Sequence, residues 1–103
     1  MKIGCDIVEN NRFENIKDGF IKKVLTLNEI KLYEKKGMSF LMGRFAAKEA
    51  IMKCLPNTKS LSFLDIEVLI GKNGEPLTNI DRVSVSISHE KNYTIAVAIF
   101  CDD

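Results

Sequence analysis

The chain has no tryptophan, a single histidine, two prolines and three cysteines. Cys5, Cys54 and Cys101 lie far apart in the sequence and form no C-x-x-C pair. With only one histidine to help them, they encode neither a disulfide framework nor a zinc site. They read as reduced, mostly buried small hydrophobes. An excess of either charge is also missing. Fifteen basic and fourteen acidic residues leave a formal net charge of +1, and no basic run is interleaved with aromatics, so bulk attraction to nucleic acid is not expected. No apolar stretch approaches the roughly 20 residues of a membrane span, and no basic leader precedes an apolar one. The expectation is a soluble, cytosolic protein.

What is present is enough apolar material for one compact domain over residues 1–103, with 46% hydrophobic content. A domain this small buries a modest fraction of its surface, so part of its apolar area can also be hidden in an oligomer.

The pattern begins with a short, partly β-branched run, Lys2–Val8, that suits a strand. Asn10 or Asn11 can cap a short helix in which Phe13 and Ile16 share a face and Gly19 is the stop. Thr26-Leu27-Asn28-Glu29 is a capping box that starts a second helix, with Leu27, Ile30, Leu32 and Tyr33 as its apolar face and Lys35-Lys36-Gly37 as its exit. Ser39 can cap a third helix running to Leu55, before Pro56 forbids continuation. After a loop over Pro56–Ser60, Phe63–Ile70 reads as a strand in which Ile66, Val68 and Ile70 alternate. Asn73-Gly74 marks a type I′ hairpin turn, with a partner strand after Pro76. Val83–Ser88 and Tyr93–Phe100 form a second hairpin across the polar turn 89–92. The order predicts an α+β domain: three N-terminal helices packed on a mainly antiparallel sheet. Asp102-Asp103 reads as a solvated tail.

Two acids violate this pattern. Glu49 stands inside the apolar run Phe40–Leu55, and Asp6 interrupts Ile3-Gly4-Cys5-Asp6-Ile7-Val8-Glu9. A carboxylate inside a short apolar strand is disfavoured by propensity and desolvation, so Asp6 calls for a polar site or a cation. Two such acids can meet around a divalent ion. Lys53, four residues after Glu49, shares its helix face and suits a phosphate beside a metal; taken alone, the pair reads first as an ordinary surface ion pair. Arg44 and Lys48, also four apart, point elsewhere. His89 closes the strand Ser86-Ile87-Ser88-His89, where hydroxyls and an imidazole suit phosphate, although a lone histidine is usually structural. Arg12, Lys17, Lys22 and Lys23 make the first helical region basic, either as a solvated face or as a dock for an acidic partner.

Taken together, Gly4-Cys5-Asp6-Ile7-Val8-Glu9, Gly43-Arg44-Phe45-Ala46-Ala47-Lys48-Glu49-Ala50 and Ser86-Ile87-Ser88-His89, in this order and spacing, resemble the bacterial holo-acyl-carrier-protein synthases of the 4′-phosphopantetheinyl transferase family. The resemblance implies transfer of 4′-phosphopantetheine from coenzyme A to a serine of acyl carrier protein. It makes Asp6 and Glu49 magnesium ligands, places Lys53 at the transferred phosphate, and makes Glu49 or a metal-bound water the proton acceptor. It assigns Arg44 and His89 to coenzyme A phosphates and Arg12 to carrier docking, and it implies a homotrimer with sites between neighbours. The chain departs from the family pattern in its short, glycine-free loop after Leu55 and in the span Leu77–Arg82, which is too short for the family's usual helix. Two other readings compete with a transferase: a coenzyme A or carrier-protein binding module without efficient transfer, and a small interaction domain in which the two acids only satisfy local hydrogen bonds.

Overall fold

The computed structural model describes residues 1–56 and 61–102. In chain order it has strand β1 (Lys2–Glu9), a 3-10 turn (Asn10–Phe13), and helices α1 (Asp18–Val24), α2 (Leu27–Lys36) and α3 (Met38–Cys54). A second 3-10 turn (Phe63–Asp65) leads to strands β2 (Val68–Ile70), β3 (Pro76–Thr78), β4 (Val83–His89) and β5 (Tyr93–Phe100). The expected α+β architecture forms: three helices against sheets whose pairings are all antiparallel.

The main sheet has the order β1-β5-β4, which makes neighbours of the first and last strands. Strand alternation puts Gly4, Val8, Thr94, Ala96 and Ala98 beneath α3, all of them buried. The small residues set the depth of that contact. A Cβ added to Gly4 would collide with the Ala50 carbonyl oxygen and come within 2.8 Å of the Cys54 nitrogen, so β1 passes against the helix backbone itself. The helix is buried nearly all round, as its apolar composition requires. Phe13, Phe20, Phe45 and Phe63 close the other side, with ring centroids 5.4–5.9 Å apart.

Several local expectations give way. The first helix is not Asn11–Ile16. That stretch holds only the 3-10 turn, and the α-helix lies at Asp18–Val24 with Gly19 inside it. Asn10 does not cap a helix: its Oδ1, the atom a cap would use, accepts from the Thr94 hydroxyl, and its Nδ2 donates to the carbonyls of Glu90 and Lys91. Asp18 in the first turn and Lys22 and Lys23 in the last suit the dipole of the later helix. The capping box of α2 is present in full, but Leu27 at its first position is 80% exposed and leaves the apolar face to Ile30 and Tyr33. Ser39 does not cap α3, which starts one residue earlier, after Gly37 at φ 84°. Its end matches the expectation, with Leu55 extended before Pro56.

Phe63–Asp65 coils into a 3-10 turn held by Ser62 and Asp65, and only Val68–Ile70 is strand. The hairpin at Asn73-Gly74 is not type I′, because only Gly74 has positive φ (83°). The Gly74 amide donates to the Gly71 carbonyl and the Gly71 amide to Glu75, a three-residue loop rather than a two-residue one. The loop expected over Pro56–Ser60 falls largely on residues 57–60, outside the described residues, as does Asp103. Among the described residues, no helix is long and apolar enough to cross a membrane.

Candidate active site

The seam between β1 and α3 joins two of the residues singled out above. Asp6 is on the helix-facing side of β1, between Gly4 and Val8. The close approach at Gly4 brings Lys53 over it. The Lys53 Nζ donates to the Cys5 carbonyl (3.0 Å) and the Asp6 Oδ1 (3.1 Å). The two side chains are 52% and 15% exposed, so the pair opens to solvent. Glu49 stands one turn earlier on the same stripe of α3, half-buried, with no hydrogen bond or ion pair at its carboxylate among the described residues. Asp6 therefore has an exposed ammonium as its partner, and Glu49 adds a second hard-oxygen group one helical turn away.

His89 ends β4 on the same face of the sheet, paired with Thr94. Its ring lies over Gly43 of α3, where an added Cβ would come 3.1 Å from Cε1 and 3.2 Å from Nε2, so glycine is what admits the imidazole. Burial and the nearby Arg44 charge hold His89 below the ordinary histidine value of 6.5. Arg44 itself is turned inward and 8% exposed. Its Nε and an Nη donate to the carbonyls of Val68 and Leu69 (2.9 and 3.0 Å), and its guanidinium stacks 4.1 Å from the centre of the Phe40 ring. Burial pulls it down to about 10, so it stays charged at neutral pH. Other N–H groups of its fork remain for an anion. Arg12 is exposed at the start of the basic helical region, away from these groups in sequence and in element.

The pattern concealed a second ion pair. Lys48, beside Glu49 in sequence, is entirely buried and donates to Glu29 (2.6 Å), the Val24 carbonyl (2.6 Å) and the Phe63 carbonyl (3.1 Å). Glu29 also accepts from the backbone amides of Thr26 (2.8 Å) and Val68 (2.7 Å). Burial lowers the Lys48 ammonium and Glu29 opposes that shift. This hub ties α1, α2, α3 and β2 together without facing solvent. The sequence did carry a signal: Lys48 interrupts the apolar run as plainly as Glu49 does, and Glu29 looked fully employed as a cap.

Comparison with known proteins settles the family. Residues 2–98 match the 4′-phosphopantetheinyl transferase superfamily. The chain belongs to that superfamily. It is 42% identical over 106 residues to the holo-[acyl-carrier-protein] synthase of Mycoplasma capricolum, an alignment covering 98% of this chain and 96% of the relative. Among solved structures, a holo-(acyl-carrier-protein) synthase from Bacillus anthracis in complex with CoA (3′,5′-ADP) superposes with a TM-score of 0.85 at 40% identity, covering 94% of this chain and 92% of that one. The Helicobacter pylori holo-[acyl-carrier-protein] synthase in complex with coenzyme A gives 0.82 at 34% identity, with 94% and 97% coverage.

Proposed function

We propose that the chain is a holo-acyl-carrier-protein synthase, a single domain over residues 1–103. It transfers 4′-phosphopantetheine from coenzyme A to a serine of apo acyl carrier protein. The observation that carries this reading is the open Asp6–Lys53 contact one helical turn from Glu49, in a chain 42% identical to a holo-[acyl-carrier-protein] synthase.

In this reaction the serine oxygen bonds to the phosphorus that bears pantetheine. The P–O bond to the nucleotide breaks, adenosine 3′,5′-bisphosphate leaves, and the serine proton passes to a base. Two carboxylates on rigid elements, with further ligands from substrate and water, fit the oxygen-only, few-ligand preference of magnesium, and Asp6 and Glu49 are the residues that would hold it. Magnesium bound there would neutralise charge on the diphosphate. The Lys53 ammonium, released from Asp6, meets charge growing on the transferred or leaving phosphate. Glu49 or water takes the serine proton. Arg44 and His89 contact coenzyme A phosphates, and Arg12 with Lys17, Lys22 and Lys23 receives the acidic carrier protein.

A homotrimer belongs to the same reading. Support comes from the sheet face turned away from α3, where Ile3 (66%) and Ile7 (61%) stand exposed beside Ile95 (37%) and Val97 (38%), paired as Ile3 with Ile99, Cys5 with Val97 and Ile7 with Ile95. A continuous apolar face of this kind is normally covered. Light scattering should give the mass of three chains for the parent and a smaller assembly for Ile7→Glu; a monomeric parent would remove the trimer. We place the protein in the cytoplasm, consistent with its widely separated thiols.

The transfer is tested by incubating the protein with apo acyl carrier protein, coenzyme A and magnesium and weighing the carrier by intact mass. The expected result is one added phosphopantetheine. Asp6→Ala and Glu49→Ala should each lower the rate by about 10²-fold or more with an unchanged melting point. No mass gain with the parent protein would sink the proposal.

A further inference from the structure

His89 is part of a hydrogen-bonded chain that runs inward from the site. The Asn10 Nδ2 donates to two backbone carbonyls, Glu90 and Lys91, both at 3.1 Å. That fixes which way the amide faces, because the reverse orientation would set its oxygen against two other oxygens. The Asn10 Oδ1 therefore faces the Thr94 hydroxyl, which donates to it at 2.8 Å. A hydroxyl has one proton. With that proton spent, Thr94 Oγ1 can only accept from its remaining partner, the His89 Nδ1 at 3.1 Å. The Nδ1 must carry hydrogen whether the ring is neutral or charged. Thr94 is fully buried between Val8 and His89, so water offers no alternative partner.

The other ring nitrogen, Nε2, has no hydrogen-bond partner among the described residues and lies over Gly43 of α3, at the exposed end of β4. In the neutral ring it is a bare acceptor. The charged group that acts on it is Arg44 of α3; Glu90 and Lys91 follow in the next turn, and Glu9 alternates to the face of β1 turned away from α3. Glu90 turns its carboxylate to the Asn92 amide, and protonation of the ring is opposed by its burial first and by the Arg44 charge second.

We propose that Asn10 and Thr94 are positioning residues that hold the proton of neutral His89 on Nδ1, so this imidazole donates to a phosphate only after taking up a second proton at Nε2. The phosphate half rests on the reading of His89 as a coenzyme A contact; the tautomer half stands without it. Binding of an anionic phosphate at this position is then coupled to proton uptake. Affinity gained through His89 is present in full below the pKa of the free protein, falls as pH rises toward the higher pKa of the complex, and is absent above it. The nucleotide's own ionisation runs the other way, so the effect is read as a difference from His89→Ala.

A single histidine makes the test direct. Long-range 15N–1H correlation spectra of the full chain report the tautomer and midpoint of this one ring, with and without adenosine 3′,5′-bisphosphate. The expected result is an Nδ1–H tautomer at high pH and a midpoint raised by about one pH unit with nucleotide, equivalent to a tenfold preference for the charged ring. Thr94→Val, near in shape, should move the neutral proton to Nε2 and shrink that rise, and Thr94→Ser should restore both. An Nε2–H tautomer in the parent chain would overturn the relay. An Nδ1–H ring whose midpoint ignores a nucleotide that binds would overturn the phosphate half alone. Failure of the nucleotide to bind would overturn the coenzyme A reading, and with it the phosphate half, while the tautomer still decides the relay.

Discussion

Lys48 and Lys53 lie five residues apart on one helix, each beside a carboxylate, and their surroundings give them opposite uses. The Lys48–Glu29 pair is 0% exposed on both sides, with every lysine donor placed on an oxygen. The Lys53–Asp6 pair is 52% and 15% exposed, with one lysine donor to spare. A buried pair that is fully hydrogen-bonded costs little to keep and much to halve. An open pair contributes little to stability but leaves both partners free to accept a new ion. A helix of near-uniform burial thus carries a sealed ion pair on one stripe and an open one on another.

The largest way to break that contrast is Lys48→Met. It strands a buried Glu29 carboxylate and should cost about 3–5 kcal/mol of stability, measured by urea unfolding. A Lys48→Met protein as stable as the parent would show that the hub is not structural. Lys53→Ala should do the reverse. Its unfolding free energy should stay within about 1 kcal/mol of the parent, while the phosphopantetheine transfer rate falls by about 10²-fold. Equal losses of stability at both lysines would erase the distinction.

The smallest effect sharpens the comparison through a group outside both pairs. His89 in the folded chain is held below its ordinary value of 6.5, so below that pH the unfolded chain binds more protons than the folded one. Its contribution therefore becomes unfavourable as pH falls through 6.5 toward the folded midpoint, and is absent above. Denaturation of the parent and of His89→Gln across pH 5–8 should show the parent losing slightly more stability on the acid side. A variant with the same acid-side slope would indicate an ordinary, solvated imidazole.

Much of the fold was legible because local signals agreed with one another. The capping box at Thr26–Glu29 satisfies its own amides, Pro56 ends α3 by its missing N–H, and the alternation in Val83–Ser88 and the β-prone run Tyr93–Phe100 select strands. Where the signals failed, a distant partner had claimed the residue. Asn10 has a good capping side chain, but Thr94 of β5 takes its oxygen and the turn after β4 its Nδ2. Val68 and Ile66 alternate as a strand should and are both buried, yet Phe63 bends away because its carbonyl is held by Lys48 and its ring by Phe45.

The candidate site divides in the same way. By itself the sequence determined that Asp6 and Glu49 are misplaced acids in apolar surroundings, that Lys53 shares a helix face with Glu49, and that the motif order is that of a phosphopantetheinyl transferase, since propensity, desolvation and helical spacing are local properties. Only the tertiary structure decided which lysine meets which acid, because that depends on how closely β1 can pass α3 at Gly4. Likewise, which nitrogen of His89 holds the proton was decided by Asn10, far away in the chain, because a hydroxyl between them has one proton to give.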